Sequence, residues 1–591
     1  MDADPRVLPR RRRSRKTLAA IALLSTLIIA FFLLLAYQNG TASEVLSFFT
    51  GPQKVQANEE FRTDFRNVSR LNPEDHVNRE PKTLKHKWRV TSGLRRPDGV
   101  LRRVYLVNGQ FPGPTIEARS GDEIIIEVEN TLEQDGISIH WHGLSMHGAN
   151  EMDGVVGITQ ALIKPSRSFT YRFTIEDDQH GTFWWHSHYA EQRADGLYGG
   201  FVVHKPLVKD QESEIADERL LLIGDWYHRH AADALKAYSH PGAFGLETVP
   251  DSVVINGAGT YICGDAVPAR PVDCVEVPAE SQPSLYLDTR KRTIIRLVNV
   301  GAYAGFSVSA LGSVMTALTV DAGHPVSGQM SRTVGYVQPG ERVDVLLELD
   351  PVAGHYNTRL NVTLDDTPFK YENPALTLTH TFPLHWNGRF RKRQARRELK
   401  SIVVERFDTQ TATSAEDQSA VLPPAAQHTV LLYAVTQKLA RLDNEPRGFI
   451  NQTTWRPQSP SLNALARSKW DDNQFVPHIP YNKHSPVWVD IILNNLDEDW
   501  HPFHLHGYSF WVLSSYTSEY NWGSYNPYDS TKAPSGEYDL KSAPRKDTFY
   551  VPRHGYAVLR FEANNPGLWA FHCHVLWHEA SGMGMAFDVR Y

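Results

Sequence analysis

Two stretches of this sequence occur twice, and both copies carry paired histidines. Residues 181–204 (GTFWWHSHYAEQRADGLYGGFVVH) align without a gap on 567–590 (GLWAFHCHVLWHEASGMGMAFDVR), so His186, His188, Gly196 and Phe201 match His572, His574, Gly582 and Phe587. Residues 123–143 (EIIIEVENTLEQDGISIHWHG) align on 487–507 (VWVDIILNNLDEDWHPFHLHG), which sets His140 and His142 against His504 and His506. The first and last parts of the chain are therefore copies of one β unit. In a strand, residues i and i+2 point to the same face. Each His-x-His pair thus presents two imidazoles side by side, and imidazole suits copper, zinc and iron. A single such pair is weak evidence of anything beyond packing. Four pairs in two copies of a repeat predict eight imidazoles meeting at a pseudo-twofold interface around a metal cluster.

The remainder of the chain suits that reading. Its 591 residues imply several domains, and 41% hydrophobic with 22% charged residues excludes a disordered chain. A net charge of −6 and a pI near 6.5 give no electrostatic footprint for nucleic acid. Short β-patterned runs, among them 104–107, 169–175, 293–299, 343–349 and 557–561, are punctuated by Gly, Pro and Asn-Asp clusters, with no long amphipathic helix. That is the pattern of all-β sandwiches or barrels in series. The middle third, roughly 216–380, has the strand pattern without the histidine pairs. Residues 389–400 (RFRKRQARRELK) and the Thr/Ser/Ala/Pro-rich 409–426 read as a surface linker, with Lys392-Arg393 and Arg396-Arg397 as candidate processing sites.

The N-terminus carries seven basic side chains within residues 1–16, followed by an uncharged apolar run from Thr17 to Tyr37. About 20 helical residues span a bilayer, so 17–37 is expected to be a transmembrane signal-anchor with the basic tail in the cytosol. The competing expectation is a signal peptide cleaved after Ala42, which would release the protein. Either way residues beyond 42 enter the secretory pathway, as a type II membrane protein or a secreted one. The sequons at Asn67, Asn361 and Asn451 are then expected to carry N-glycans, and residues 38–81 to form a stem. Three cysteines are too few for a disulfide scaffold. Cys263 and Cys274 are expected to pair in an oxidising compartment, which leaves Cys573 unpaired.

Cys573 sits between His572 and His574, where the first copy has Ser187. His578 replaces Gln192, His501 replaces Ile137 and Met583 replaces Leu197. One Cys, two His and a weak axial Met is the ligand set of a blue-copper electron-transfer site. Strand alternation sends the Cys573 side chain to the face opposite His572 and His574. A thiolate on one metal would then be covalently flanked by two ligands of another.

The segments HWHG (140–143), WHSH (185–188), HPFHLHG (501–507) and HCHVLWHEASGMGM (572–585) resemble the four copper-binding signatures of three-domain multicopper oxidases, most of all the fungal ones. The resemblance covers residues 82–591. It implies three consecutive cupredoxin-like Greek-key domains at 82–208, 216–384 and 427–591, with 385–426 as linker. It further implies four copper ions. The type 1 ion would take His501, Cys573, His578 and Met583; the type 2 ion His140 and His504. The paired type 3 ions would share His142, His186, His188, His506, His572 and His574. Dioxygen would be the electron acceptor.

The match has departures. Relatives often place two carboxylates near the cluster for proton delivery. Asp153 matches one, but the other falls at Leu576, and Glu579 is expected on the type 1 side. Met583 stands where the highest-potential relatives have Leu or Phe, so a moderate potential is expected, checked by redox titration of the type 1 copper. Asp225 resembles the acid beside the laccase substrate pocket, a place where iron-oxidising relatives have Glu. Asp497, extended by Glu498 and Asp499, matches an acid of iron-oxidising relatives, whose third acid falls at Lys370, beyond Asp365 and Asp366. The expected function is laccase-like oxidation of phenols, such as the coupling of pigment or natural-product intermediates, a setting no residue specifies. The alternatives are an Fe(II) oxidase, an ascorbate oxidase-like enzyme and a non-enzymatic cupredoxin wall protein.

Overall fold

Strand alternation sorts the side chains. In Glu123–Asn130 every second residue, Ile124, Ile126, Val128 and Asn130, is buried while its neighbours face outward. The histidine-bearing strands differ, being buried on both faces: Ile139–His142, Gly181–Ser187, His501–Leu505 and Gly567–Cys573 have almost no exposed position. One face of each packs in its own domain and the other is covered by a neighbour. A computed structural model describes residues 69–207, 216–278, 281–288, 290–349, 358–387, 403–518, 523–530 and 532–591.

The described chain is all-β and cupredoxin-like. The first repeat unit has two four-stranded sheets, one carrying Thr83–Arg95 between Arg102–Val107 and Glu123–Asn130, the other pairing Ile139–His142 with Gly181–Ser187. The last unit repeats the plan. A six-stranded sheet carries Trp488–Asn495, and a five-stranded sheet pairs His501–Leu505 with Gly567–Cys573. Between them lies a 13-stranded assembly. The first and last units share one continuous apolar core that joins Trp141, Trp185 and Phe201 to Phe503, Phe571 and Phe587. That shared core holds the two copies of the repeat face to face.

Two segments read as loose connections are packed. Of the stem, residues 69–81 belong to the body: Leu71 is buried, and the Arg79 guanidinium is paired with the buried Asp122. Of the linker, Val404–Phe407 runs parallel to Met330–Val337, Phe407 and Leu422 are buried, and buried Gln418 accepts the Trp511 indole N–H at 2.9 Å. These few apolar and amide anchors outweigh the polar composition around them. Cys263 and Cys274 are disulfide-bonded and Cys573 is the buried free thiol.

The basic tail, the apolar run 17–37, the position after Ala42, the stem as far as 68 with Asn67, and the basic run 389–400 lie outside the described residues. Among the described residues no helix is long and apolar enough to cross a membrane. Asn361 lies half-buried on Arg359–Leu364, its Oδ1 accepting the Thr381 hydroxyl at 2.9 Å. Asn451 is half-buried and has its amide engaged. Its amide nitrogen donates to the Leu431 carbonyl and its amide oxygen accepts from Tyr433 N–H, both at 2.9 Å.

Candidate metal centre

The strand registers bring the repeated histidines together. His140 lies directly opposite His186 in the first unit, and His504 opposite His572 in the last. The glycines that end HWHG and HLHG have φ of +90° and +70°. They also have no room for a side chain: a Cβ on Gly507 would lie 2.4 Å from the Trp569 ring, and one on Gly143 2.4 Å from the Arg342 guanidinium. The tight turns after the strands therefore require glycine.

All eight imidazoles gather in one buried cluster. His140 packs on His506 with ring centroids 3.9 Å apart and His142 on His504 at 3.7 Å. The Nε2 atoms of His188 and His506 lie 3.3 and 3.0 Å from Nε2 of His572. The outer nitrogens are spoken for. Nδ1 donates to the Asp153 carbonyl from His140 (2.8 Å), to the Ser187 carbonyl from His186 (2.9 Å), to the Asp547 carbonyl from His504 (2.9 Å) and to the Cys573 carbonyl from His572 (3.0 Å). His506 Nδ1 donates to the Asp153 carboxylate at 3.0 Å. These bonds fix the rings with Nε2 turned inward as a lone-pair donor.

Nε2 of His140, His186, His504 and His574, and Nδ1 of His142, are buried with no hydrogen-bond partner. A buried polar atom left unpaired costs about 1–3 kcal/mol. Five in one place mark a constellation built for an electrophile. Burial holds His142, His186, His188, His506 and His574 well below the ordinary imidazole pKa and lowers His504 to about 4, so these rings are neutral ligands at physiological pH. The donor set, all imidazole nitrogen, fits copper.

A second constellation lies across strand Gly567–Cys573. Cys573 Sγ is 3.5 Å from His501 Nδ1 and 3.6 Å from His578 Nδ1, and those two nitrogens are 3.1 Å apart. Thiolate with two imidazoles fits a blue-copper site. Met583 is fully buried beside them, its backbone N–H on the His578 carbonyl and its carbonyl accepting from Cys573 N–H, each at 3.0 Å. Both imidazoles are oriented from behind by carboxylates. His501 Nε2 donates to Asp497 and His578 Nε2 to Glu247, each at 3.0 Å.

Sequence reasoning misplaced two acids. Asp225, expected beside a substrate pocket, is buried. Its buried carboxylate accepts the backbone N–H groups of Ala302, Tyr303 and Ala304 at 2.6, 2.9 and 2.9 Å, so it anchors that loop. The acid at His578 is Glu247, 22 residues further along. Glu579 does not lie on the type 1 side but at the edge of the eight-histidine cluster, 3.5 Å from His188 Nε2 and 3.7 Å from His572 Nδ1. After Val575 the chain turns into the short helix Leu576–Ala580. There consecutive residues diverge by about 100°, so His578 and Glu579 face different sites.

Other residues at the centre carried no motif to find them. Asp547 lies 3.4 Å from His142 Nε2 and 3.5 Å from His504 Nδ1, and Arg193 donates to the His574 carbonyl at 3.1 Å. Asp153 stands as expected beside the cluster, its carboxylate reaching both His140 and His506. Of the acids near His501, Asp497 bonds that ring, whereas Asp499 is paired with Lys370 Nζ at 2.6 Å.

Sequence models of the multicopper oxidase family match residues 89–207, 217–380 and 446–591. An iron transport multicopper oxidase, fetC, of Epichloe festucae is 32% identical over 521 residues, 85% of this chain and 76% of that protein. Laccase-1 of Cryptococcus neoformans is 31% identical over 523 residues, 85% of this chain and 79% of that protein. Among solved structures, the laccase from Botrytis aclada superposes with a TM-score of 0.67 at 25% identity, covering 88% of this chain and 89% of that one. Fet3p, a multicopper oxidase that functions in iron import, gives a TM-score of 0.71 at 24% identity over 86% and 90%.

Proposed function

This chain belongs to the multicopper oxidase family, and we propose that it is a laccase-like enzyme that oxidises phenols one electron at a time and reduces dioxygen to water. His501, Cys573 and His578, with Met583, would hold the type 1 copper; His140 and His504 the type 2; His142, His186, His188, His506, His572 and His574 the type 3 pair. When bound, copper supplies the one-electron acceptor at the thiolate site and the four-electron donor to dioxygen at the histidine cluster.

The observation that carries the phenol reading is Glu247. Its carboxylate accepts from the outer nitrogen of His578 at 3.0 Å, so a proton acceptor stands against the ring through which an electron would leave the substrate. A phenol is far easier to oxidise when its proton leaves with the electron, and an acid in that place receives it. The same segment offers apolar surface to an aromatic ring: Phe244 is 71% exposed and Leu246 40%. Cys573 then links the two sites through its own backbone to His572 and His574. Asp153 and Asp547 hold the cluster imidazoles in orientation.

Glu579 takes the place of the acid missing at Leu576. Its carboxylate touches the cluster at His188 and His572 while its side chain stays 24% exposed, so it can exchange a proton with solvent and pass it inward. Glu579→Gln is expected to lower kcat for oxygen uptake by about one to two orders of magnitude with the phenol KM unchanged, and Glu579→Asp to recover part of it. Equal kcat in all three proteins would remove Glu579 from the mechanism.

The deciding experiment is oxygen uptake by copper-loaded enzyme with Fe(II), corrected for spontaneous oxidation, and with electron-rich diphenols and naphthols. Rapid phenol turnover with little iron activity is the expected result; efficient Fe(II) turnover that collapses in Asp497→Ala would reverse it. The iron reading is kept for one observation: two carboxylates, Glu247 and Asp497, sit on the outer nitrogens of His578 and His501, and the first of them is a Glu.

The apolar run 17–37 supports a single-pass anchor that leaves the oxidase domains lumenal or extracellular, where the sequons at Asn67, Asn361 and Asn451 would meet the glycosylation machinery. Protease protection of microsome-bound enzyme, with a size shift after deglycosylation, tests both.

A further inference from the structure

A second group of metal-ligating side chains lies away from the copper centre, where the segment before the first repeat unit folds onto it. His204 ends strand Tyr198–His204, Glu117 belongs to Ile116–Arg119, which pairs with that strand in parallel, and His76 closes the short turn Pro73–Asp75. One ligand atom from each, two imidazole nitrogens and a carboxylate oxygen, lies within 4.8 Å of the others. The His76 and His204 rings stack with centroids 5.1 Å apart, and Glu117 Oε2 is 2.9 Å from His204 Nε2.

Charge distinguishes this group from an ordinary polar contact. The Glu117 side chain is only 16% exposed, yet among the described residues no lysine or arginine pairs with it. Its partners are the Asn72 backbone N–H at 2.8 Å, the Asn72 side-chain amide at 3.2 Å and His204. The acids around it are met differently: Asp122 is gripped by Arg79, and Glu218 by Arg296 at 2.8 Å. A carboxylate taken out of water is paired with a cation or coordinates a metal. His204 has the partners a ligating imidazole needs. With Nε2 toward Glu117, its Nδ1 faces the Glu218 carboxylate at 3.8 Å, on the side from which a ligand ring is oriented.

We propose that His76, Glu117 and His204 form a site for a fifth metal ion, a divalent ion of the zinc type, that clips residues 69–79 to the first repeat unit. Two imidazoles and one carboxylate are a zinc donor set, with the fourth position left to water. Tetrahedral bonds of about 2.1 Å put neighbouring donors about 3.4 Å apart. Side-chain rotation closes a group whose atoms already lie within 4.8 Å. Arg79 Nη2 donates to His76 Nδ1 at 3.1 Å. The ion would take over that lone pair, and Arg79 would keep its two bonds to Asp122. The nearby guanidinium weakens the hold on a cation, so this ion is the first lost to a chelator. The site depends neither on the copper centre nor on the reducing substrate.

The test starts from full-length, copper-loaded enzyme, washed briefly with EDTA and then dialysed against Zn(II). Metal analysis should find one zinc per chain beside the four copper ions, and anomalous scattering above the zinc edge should place it among His76, Glu117 and His204. His76→Gln and Glu117→Gln should each lose the zinc while keeping four copper ions and the blue band. His76→Gln is the milder change, since that ring is half-buried on a surface turn. In limited digestion with trypsin, zinc should slow cleavage within residues 69–82 at least about fivefold in the wild type and in neither variant. A wild type that takes up no zinc, or variants that retain it, would overturn the site and leave His204 and Glu117 as a plain hydrogen-bonded pair. Zinc that binds there without slowing the cleavage would overturn the clip.

Discussion

Cys573→Ser should abolish phenol oxidation, by at least about three orders of magnitude, while leaving the protein folded and the histidine cluster loaded. The reasoning is local. Cys573 is fully buried, and Sγ lies 3.5 and 3.6 Å from the ligating nitrogens of His501 and His578. Serine fills nearly the same volume, so the packing survives, but a hydroxyl is neither a soft ligand nor a ready anion. The flanking His572 and His574 point to the other face of the strand and keep their partners, among them the bond from His572 Nδ1 to the Cys573 carbonyl, which serine also supplies. The purified variant should therefore lack the intense blue band and carry one copper fewer than the wild type. It should still take up copper at the cluster, seen by metal analysis and by an unchanged denaturation midpoint of the copper-free chain. A variant that keeps a tenth of the phenol activity would mean that electrons enter elsewhere.

The parts of this centre that were legible in the sequence are those written as local spacing. His-x-His on a strand puts two rings on one face whatever the rest of the chain does, and duplication shows which pairs meet. The supporting acids are not written that way. Glu247 and Asp547 reach their histidines from loops hundreds of positions away in one case and about forty in the other, with no fixed offset to betray them. Asp225 misled because an acid at a strand end reads equally well as a substrate contact or as an acceptor for a loop's N–H groups, and only the fold shows that residues 302–304 claim it. Glu579 misled for a geometric reason, the switch from strand to helix just after His574, which makes sequence adjacency to His578 a poor guide to direction. Composition misled for 403–426, where a few buried anchors decide the path of a largely polar segment.

Arg342→Met should cost about 3–5 kcal/mol of stability, because it removes the buried cation paired with Asp547 and standing beside Asp321. Arg342, wholly buried, comes from the middle of the chain and donates to both oxygens of Asp547 at 2.7 and 2.5 Å, to the Thr182 carbonyl at 3.0 Å and to the Gly340 carbonyl at 3.0 Å. Asp321 stands 3.6 Å from the same guanidinium. Burial alone would push Asp547 up, but Arg342 and the neighbouring imidazoles hold it well below the carboxylate range. Asp321 goes the other way, raised to about 6 by burial and by the charge on Asp547. Methionine fills the space and leaves the two carboxylates to share the field of Lys546, whose ammonium is itself paired with Glu341. One of them would then keep a proton in the folded state that it gives up on unfolding. A folded-state pKa above the unfolded one favours the native state at low pH, and that benefit is lost as pH rises through the folded value. The deficit of Arg342→Met should accordingly be smaller at pH 5 than at pH 8. Denaturant titrations of the copper-free chain at the two pH values measure this without metal linkage. Asp547→Asn added to Arg342→Met should recover at least half of the loss at pH 8, since it removes the stranded charge and not the contact. It should not recover metal affinity at His142 and His504, which lose the carboxylate 3.4 and 3.5 Å from their rings. A double variant no more stable than the single one would show that Arg342 acts through packing at the junction and not through charge.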